Sequence, residues 1–486
     1  MKNWFDNIRI YHLLIDRFNG GWQVPPKSEN VFCGGNLQGV IEKLDYIQGL
    51  GFNAVMLSPI FASANYHGYH TLNFDEVDPH IGTWDDYQRL LDTAHAKGMK
   101  VICDFVPNHC WYEAPMFQES LLKNGGHHRD WFFFEGDDSD AFVSFLGFGD
   151  LPKFNLTNPE VAGFMIEKAE RLVRMGVDAF RIDHALGQPH AFLKQFREAM
   201  QRVSSDIVVF GEVWAFGIGP QLASQLYFKT DARLQEFMAQ ETKPFSQDDL
   251  QADYVDTIDG VLDFAYRDIL LDEVHAGRGI KGNEMLQKKV EEHFAKYPKD
   301  FKLVLFLDNH DTDRFLPSMP ENLDQWKQAQ TFLLTSRGIP QIYYGTEILM
   351  NGGREGSDGY VRRDFPGGFP GDDIDAFTHD GLSDLQKEAT DFLTRLLNWR
   401  RGNDAIARGS LKHFMPENGL YVYSRRFDRQ HAHIIMNGTD EPLKVDMSRY
   451  SELLPVGASF TDIITGRRLT IEREMTFPPR ATFILE

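Results

Sequence analysis

Short apolar stretches alternate with amphipathic stretches over roughly the first four hundred residues of the chain. The apolar stretches are rich in Val, Ile, Leu and Phe and predict buried strands, whereas helical periodicity prevails between them. The predicted strands lie near 8–16, 52–59, 100–106, 178–184, 207–214, 260–266, 302–311 and 340–347. Eight strands in alternation with helices predict an α/β fold, a (β/α)8 TIM barrel.

Two of the predicted helices have clear start signals. Thr83, with Asp86 three residues later, predicts a capping box, and Asn158 followed by Pro159 predicts a second helix start. The apolar residues that share one face of the second helix are Val161, Phe164, Met165, Ala169, Leu172 and Val173. Such a one-sided helix suits the outer layer of a barrel, where it packs on a buried strand.

Two segments depart from the repeat. Residues 110–155 are rich in aromatic and acidic residues and too long for an ordinary loop, so we predict an inserted domain over the barrel mouth. From residue 406 the pattern changes to short alternating stretches with turn residues between them. This texture predicts an antiparallel β-sandwich domain over 406–486, which leaves 1–109 and 156–405 for the barrel.

The composition of the chain indicates its expected cellular location and the classes of partner that are not expected. The chain has 50 Lys and Arg against 71 Asp and Glu, a formal charge of −21, so neither nucleic acid nor an anionic membrane is an expected partner. It has no apolar run long enough for a bilayer and no signal-peptide pattern, which favours the cytoplasm. Cys33, Cys103 and Cys110 are too few for a disulfide framework and are expected to be buried thiols. A monomer and a homodimer are both compatible with the sequence.

Several predicted strands end in charged residues. The stretch AFRIDHA (179–185) holds Arg181 and Asp183 within an otherwise apolar run, where a charge is costly unless it is paired. Glu212 and Asp311 end two later strands, and barrel enzymes build their active sites at such ends. Any one of these residues could be a turn former or a helix cap. Three carboxylates beside one arginine instead favour a functional site.

Four motifs in this region resemble the conserved regions of the α-amylase family of glycoside hydrolases. They are, in order, DFVPNH (104–109), GVDAFRIDH (176–184), FGEVW (210–214) and FLDNHD (306–311). The stretches at 67–83 and 337–347 are also similar to that family, so the resemblance covers nearly the whole chain.

The resemblance implies a role for each carboxylate. Asp183 matches the nucleophile, Glu212 the general acid/base and Asp311 the carboxylate that stabilises the transition state. A retaining glycosidase places its nucleophile and its acid about 5–5.5 Å apart and raises the pKa of the acid. Arg181 beside Asp183 would keep that nucleophile ionised at neutral pH.

The resemblance also implies which residues contact the sugar. Tyr69, His109 and His310 match positions around the sugar that is attacked, where the histidines bind hydroxyls and the tyrosine ring stacks. Trp214 would flank the leaving sugar, with a packing role as the alternative. Asn108 matches a calcium ligand of many α-amylases, so calcium is a candidate ion, although no cofactor is expected to be required. The acidic stretch DDSD (137–140) could add oxygen ligands, or could be a solvated turn.

The motif LPKFN (151–155) and the loop 354–373 resemble the neopullulanase and cyclomaltodextrinase branch of the family, without the N-terminal β-domain of many of its members. We therefore expect a hydrolase of α-1,4 and in some substrates α-1,6 glucosidic bonds in maltooligosaccharides or cyclodextrins. One alternative is a transglycosylase or isomerase on the same scaffold, either trehalose-forming or sucrose-using. A non-catalytic carbohydrate-binding protein is the other.

Overall fold

The computed structural model describes residues 4–21, 31–122, 126–134, 140–215, 246–275, 284–315, 323–353 and 357–486. Within these ranges eight parallel strands close into a barrel in sequential order, with β8 hydrogen-bonded to β1. The strands are β1 (Ile10–Leu13), β2 (Ala54–Leu57), β3 (Lys100–Phe105), β4 (Ala179–Ile182), β5 (Val208–Gly211), β6 (Gly260–Leu262), β7 (Lys302–Leu305) and β8 (Ile339–Tyr343). The predicted TIM barrel is confirmed.

The predicted extent of the sixth strand is wrong. The stretch GVLDFAY (260–266) reads as one apolar strand, but β6 ends at Leu262 and a helix runs over Phe264–His275. Asp263 makes this change because its Oδ1 accepts the backbone N–H of Tyr266 at 3.0 Å, which satisfies a free amide at the helix start. β7 is also shorter than predicted and ends at Leu305, so the motif residues 308–311 lie in the loop that follows it.

Helices lie between successive strands. Their bounds are Ile15–Phe18, Leu37–Glu42, Leu44–Leu50, Trp84–Ala96, Pro115–Ser120, Pro159–Met175, His190–Val203, Gln247–Ala252, Phe264–His275, Glu284–Ala295, Leu323–Thr335, Asp384–Arg400 and Asp404–Arg408. Both predicted caps are confirmed: Thr83 forms a capping box with Asp86, and the Asn158 side chain accepts from the N–H of Glu160. On the second helix Phe164 is only partly buried, unlike the other residues predicted on that face.

The barrel interior changes from apolar to polar along the strands. A buried apolar cluster fills its lower part and includes Ile10, Met56, Ile102, Ala179, Phe210 and Val304. Two positions further along a strand the side chain returns to the same face. Polar residues stand at these upper positions: His12 on β1, Asp104 on β3, Arg181 on β4 and Glu212 after β5. The buried charged residues therefore lie at the carboxyl ends of the strands, above the apolar cluster.

The inserted segment pairs with the chain that leaves β3. Residues His109 and Lys153 form an antiparallel bridge, and the N–H of Phe154 donates to the carbonyl of Asn108 at 3.0 Å. Short 3-10 turns lie at Arg129–Trp131 and Phe145–Gly147. A hairpin of Phe61–Ser63 and Thr71–Val77 follows β2.

The C-terminal part is an antiparallel β-domain, as predicted. One sheet holds four strands in the order Ser410–His413, Leu420–Phe427, Gln430–Asn437 and Thr482–Leu485. Two further pairs are Leu443–Asp446 with Glu474–Phe477, and Ser459–Thr461 with Arg468–Thr470. Cys33, Cys103 and Cys110 are free and buried. No helix among the described residues is long and apolar enough to cross a membrane.

Candidate active site

Arg181 joins carboxylates from three neighbouring strands. Its Nη1 donates to Asp104 at 2.8 and 3.0 Å and to Oδ1 of Asp183 at 2.7 Å. Its Nη2 lies 3.0 Å from Oε2 of Glu212, a close contact without hydrogen-bond geometry. Arg181 and Asp104 are completely buried, and Asp183 and Glu212 nearly so. The buried charges in AFRIDHA are thus paired with each other and with carboxylates on either side.

Asp311 lies in the loop after β7, where two cationic or polar groups hold its carboxylate. Oδ2 is 3.0 Å from Nε2 of His310, and Oδ1 accepts from Nη2 of Arg362 at 2.9 Å. Arg362 also donates to the carbonyl of His310 at 2.8 Å and to Asp358 at 3.1 Å. Arg362 was not predicted as a site residue; its only signal in the sequence is the pair Arg362–Arg363 within the acidic, glycine-rich loop 354–373.

Burial gives Glu212 the properties of an acid. Desolvation, with the charges of Asp183 and Asp311, outweighs the attraction of Arg181 and raises the pKa of Glu212 to about 8. The N–H of His184 donates to Oε2 at 2.9 Å, whereas Oε1 is buried and has no hydrogen-bond partner among the described residues. At neutral pH Glu212 is therefore protonated and has one oxygen free to present the proton.

Asp183 and Asp311 differ from Glu212 in protonation. Burial raises the pKa of Asp183 to about 6, and the ion pair and hydrogen bond with Arg181 limit the rise, so Asp183 is ionised at neutral pH. Burial also acts on Asp311, but His310, Arg362 and Arg181 together hold the pKa of Asp311 well below its usual value. Among the three predicted catalytic residues, Glu212 is thus protonated at neutral pH, whereas Asp183 and Asp311 are ionised.

Tyr69 and His310 form one wall of the site. The Tyr69 hydroxyl donates to Oδ2 of Asp104 at 2.7 Å, and its ring stacks face to face on His310, with centroids 4.9 Å apart and an interplanar angle of 4°. The structure thus brings Tyr69, His310 and Asp311 together around the Arg181 cluster.

His109 makes contacts that its predicted role did not include, and Trp214 makes a packing contact of the kind that was predicted as its alternative role. Nε2 of His109 is 3.2 Å from the carbonyl of Tyr69, and Nδ1 is 3.2 Å from the side-chain amide of Asn108. A sugar hydroxyl would have to replace one of these contacts. The Trp214 ring stacks on Phe264 at 4.7 Å and 8°, so one face of it serves packing.

The residues around Asn108 do not fit a calcium ion. Nζ of the buried Lys153 donates to Oδ1 of Asn108 at 2.6 Å and also to the carbonyl of Gly187. Calcium needs six to eight oxygen ligands, and here an ammonium group already occupies the oxygens that converge on this point. Of DDSD, residues 137–139 lie outside the described residues and Asp140 is exposed. No group of three or more His, Cys, Asp or Glu residues suited to a metal occurs within the part of the chain that the structure describes.

Comparison with known proteins decides the family. Residues 12–408 match the family described as "Alpha amylase, catalytic domain", and residues 411–486 match the "Cyclo-malto-dextrinase C-terminal domain". The chain belongs to the α-amylase family. The predicted resemblance is confirmed, and this α-amylase family member matches known domains in both of its parts.

Two relatives and one solved structure illustrate the similarity. Neopullulanase 2 of Thermoactinomyces vulgaris is 28% identical over 496 residues, which cover 96% of this chain and 74% of that protein. The intracellular maltogenic amylase of Bacillus subtilis (strain 168) is 30% identical over 367 residues, or 72% of this chain and 56% of the relative. The cyclic α-maltosyl-(1→6)-maltose hydrolase of Arthrobacter globiformis superposes with a TM-score of 0.80 over 99% of both chains at 22% identity, a likeness of fold.

Proposed function

We propose that the protein is a retaining hydrolase of α-1,4-glucosidic bonds, with activity on some α-1,6 bonds, in maltooligosaccharides or cyclodextrins. The observation that carries this proposal is the contact of two carboxyls with one guanidinium: Arg181 lies 2.7 Å from Oδ1 of Asp183 and 3.0 Å from Oε2 of Glu212. Burial raises the pKa of Glu212 to about 8, while Arg181 keeps the pKa of Asp183 at about 6. An acid and a nucleophile side by side are what a retaining glycosidase requires.

The first step follows from this arrangement. Arg181 holds Oδ1 of Asp183, so Oδ2 attacks the anomeric carbon as the bond to the glycosidic oxygen breaks. Glu212 donates its proton to that oxygen, and the leaving sugar departs with a new hydroxyl. The ionised Asp311 stabilises the positive charge that develops on the sugar ring.

The second step reverses these roles. Glu212, now a carboxylate, takes a proton from water, whose oxygen attacks the anomeric carbon and breaks the ester bond to Asp183. Two inversions return the α-configuration. Each carboxyl ends in its starting protonation state, so the cycle requires no cofactor.

Substrate choice is supported by chemistry as well as by relatives. Maltooligosaccharides and cyclodextrins are uncharged, so recognition relies on aromatic rings and on hydrogen bonds to hydroxyls, which Tyr69 and His310 offer. The match to a cyclomaltodextrinase C-terminal domain and the neopullulanase relative support the same class. The intracellular relative supports a cytoplasmic location. A formal charge of −21 disfavours nucleic acid as a partner.

Product analysis tests this function directly. The purified protein is incubated with maltoheptaose, β-cyclodextrin, pullulan, soluble starch and sucrose, and the products are separated by chromatography. We expect kcat/KM for maltoheptaose or β-cyclodextrin to exceed that for starch, counted per chain, with sucrose a poor substrate. Faster cleavage of starch would assign the chain to ordinary α-amylases, and trehalose or isomerised sucrose would assign it to the transglycosylase and isomerase alternative.

A matched pair of variants tests the catalytic role of Asp183. Asp183→Asn preserves the shape of the side chain and removes the nucleophile. We therefore expect kcat to fall by a factor on the order of 10³ or more. Asp391→Asn changes the same residue type on the exposed face of the helix Asp384–Arg400 and should leave kcat unchanged. Binding of maltoheptaose without any turnover by the unmodified protein would support the non-catalytic alternative. Light scattering distinguishes a monomer from a homodimer.

A further inference from the structure

His12 lies at the upper end of β1, beside the candidate active site, in a position to which the proposed mechanism gives no role. Its side chain is 1% exposed, and on the strand it pairs with Tyr343 of β8 and Met56 of β2. The His12 ring meets the His310 ring at 81° with centroids 5.1 Å apart, and it lies 5.1 Å from the Tyr343 ring. His12 is therefore a direct packing neighbour of a site residue.

His310 is held from two directions. Tyr69 stacks on one face of the His310 ring at 4.9 Å, and His12 packs on the same ring in an edge-to-face arrangement. This orientation aims Nε2 of His310 at Oδ2 of Asp311, 3.0 Å away. Because an edge-to-face contact fixes ring tilt better than an aliphatic contact, loss of His12 would loosen the His310–Asp311 pair.

His12 is built to stay uncharged. Neither Nδ1 nor Nε2 has a hydrogen-bond partner among the described residues, and an imidazolium needs an acceptor for each of its two N–H groups. The charged and titratable groups that face it are His310, Arg181, Arg314, Tyr343 and Asp311. Burial and the neighbouring cations outweigh Asp311 and hold the pKa of His12 well below its usual value.

We propose that His12 is a positioning residue: as a neutral ring it keeps His310 dry and correctly tilted against Asp311, so that protonation of His310 does not raise the acid limit that Asp183 sets. This inference rests on the proposed function. Without the His12 ring, water would reach His310, and the imidazole would take up a proton at a higher pH. The His310–Asp311 pair would then change its charge within the working range of the enzyme.

Variants that separate the ring from its nitrogens test the proposal. His12→Phe keeps the edge-to-face contact, so kcat/KM should stay within about threefold of the unmodified protein, with the same acid limb of the pH profile. His12→Leu removes the ring, so kcat should fall at least about tenfold while KM changes less than about threefold, and the acid limb should move up by about half a pH unit or more. If His12→Leu does not fold, His12→Gln supplies the variant without a ring.

A control and a second measurement make the outcome decisive. His433→Leu removes a buried histidine from the C-terminal sheet and should lower the Tm without moving the pH profile. NMR with ¹³C-labelled histidine, in which His310→Gln assigns the His310 signal, should show the pKa of His310 rising in His12→Leu and unchanged in His12→Phe. Equal losses in the Phe and Leu variants, or an unmoved acid limb and unmoved signal in His12→Leu, would overturn the proposal. Because NMR needs no turnover, inactivity towards glucans would defeat the proposed function alone.

Discussion

Arg362 donates from Nη2 to Oδ1 of Asp311 at 2.9 Å and so gives the fourth carboxyl group of the site, which is partly buried, its own guanidinium. Arg181 serves the other three, Asp104, Asp183 and Glu212. The two arginines lie on different parts of the chain, one on β4 and one in the loop after β8. Charge pairing therefore joins that loop to the loop after β7, which carries Asp311, at the point where the sugar would bind.

Loss of Arg362 should impair turnover. We expect Arg362→Met to lower kcat roughly 10- to 100-fold because Asp311 loses one of the groups that orient it, and Arg362→Lys to fall between that variant and the unmodified protein. The adjacent Arg363 is exposed and is the matched control, since Arg363→Met should leave kcat nearly unchanged. Steady-state kinetics on maltoheptaose measure both. Equal losses of kcat in Arg362→Met and Arg363→Met would contradict a role for the contact between Arg362 and Asp311.

The pH profile should be bell-shaped. Asp183 must be ionised, so kcat/KM should fall as the pH drops through about 6, and Glu212 must be protonated, so it should fall as the pH rises through about 8. Glu212→Gln should remove the alkaline limb and lower kcat by several orders of magnitude on unactivated maltooligosaccharides. An alkaline limb that persists in Glu212→Gln would assign it to another residue.

The stereochemistry of the first product reports on the covalent intermediate. If Asp183 forms a glycosyl ester, the sugar released by water has the α-configuration. We expect proton NMR during the first minutes of maltooligosaccharide hydrolysis to show the α-anomer before mutarotation. Early appearance of the β-anomer would show single displacement by water and would leave Asp183 without its nucleophilic role.

Lys153 should make the fold indifferent to calcium. We expect neither EDTA nor added calcium to shift the Tm, because the Lys153 ammonium already bonds to Asn108 and to the carbonyl of Gly187. Lys153→Met strands both acceptors, at about 1–3 kcal/mol each, and should lower the Tm by roughly 2–6 °C. Lys444→Met, at an exposed position of the C-terminal domain, is the control. A Tm that rises with calcium in the unmodified protein would disprove the assignment.

A second buried histidine should govern alkaline stability. His293 lies between Asp263 at 2.8 Å and Asp248 at 2.5 Å, and although burial opposes protonation, these carboxylates raise the pKa of His293 to about 9. Because the folded pKa exceeds the unfolded value of about 6.5, the stabilisation is complete below pH 6.5 and is lost as the pH rises through 9. Its upper bound is on the order of 3 kcal/mol. Denaturant unfolding from pH 6 to 10 should show this loss, and His293→Gln should flatten it.

Much of the barrel could be predicted because each buried parallel strand is a nearly continuous apolar run. The predicted sixth strand was too long because a short apolar run fits a strand and a buried helix equally well. The hydrogen bond from the backbone N–H of Tyr266 to the side chain of Asp263 decides in favour of the helix. Asp183, Glu212 and Asp311 were predicted as site residues from motifs and from charges at the ends of apolar runs, and their catalytic roles stay predictions. The contacts of Arg362 and Lys153 were not, because partners 51 and 45 residues apart leave no local pattern.

The contacts of His109 likewise could not be predicted from the sequence, although the residue lies within a recognised motif. Its motif predicted contact with a sugar hydroxyl, yet both ring nitrogens already meet protein atoms, the carbonyl of Tyr69 and the amide of Asn108. A motif fixes where such a ring lies. It does not reveal whether a neighbouring loop has already used its hydrogen-bonding capacity.

The cation next to Asn108 is covalently part of the chain, and this has a kinetic consequence. A bound metal ion leaves at a finite rate, so dilution, chelators or competing ions can accelerate irreversible inactivation of a protein that depends on it. The Lys153 ammonium cannot dissociate, and its local concentration is fixed at every dilution. The Lys153 ammonium can leave this position only if the inserted segment separates from Asn108 and Gly187. Local opening of the chain, rather than loss of an ion, is therefore the event that would begin inactivation in this region.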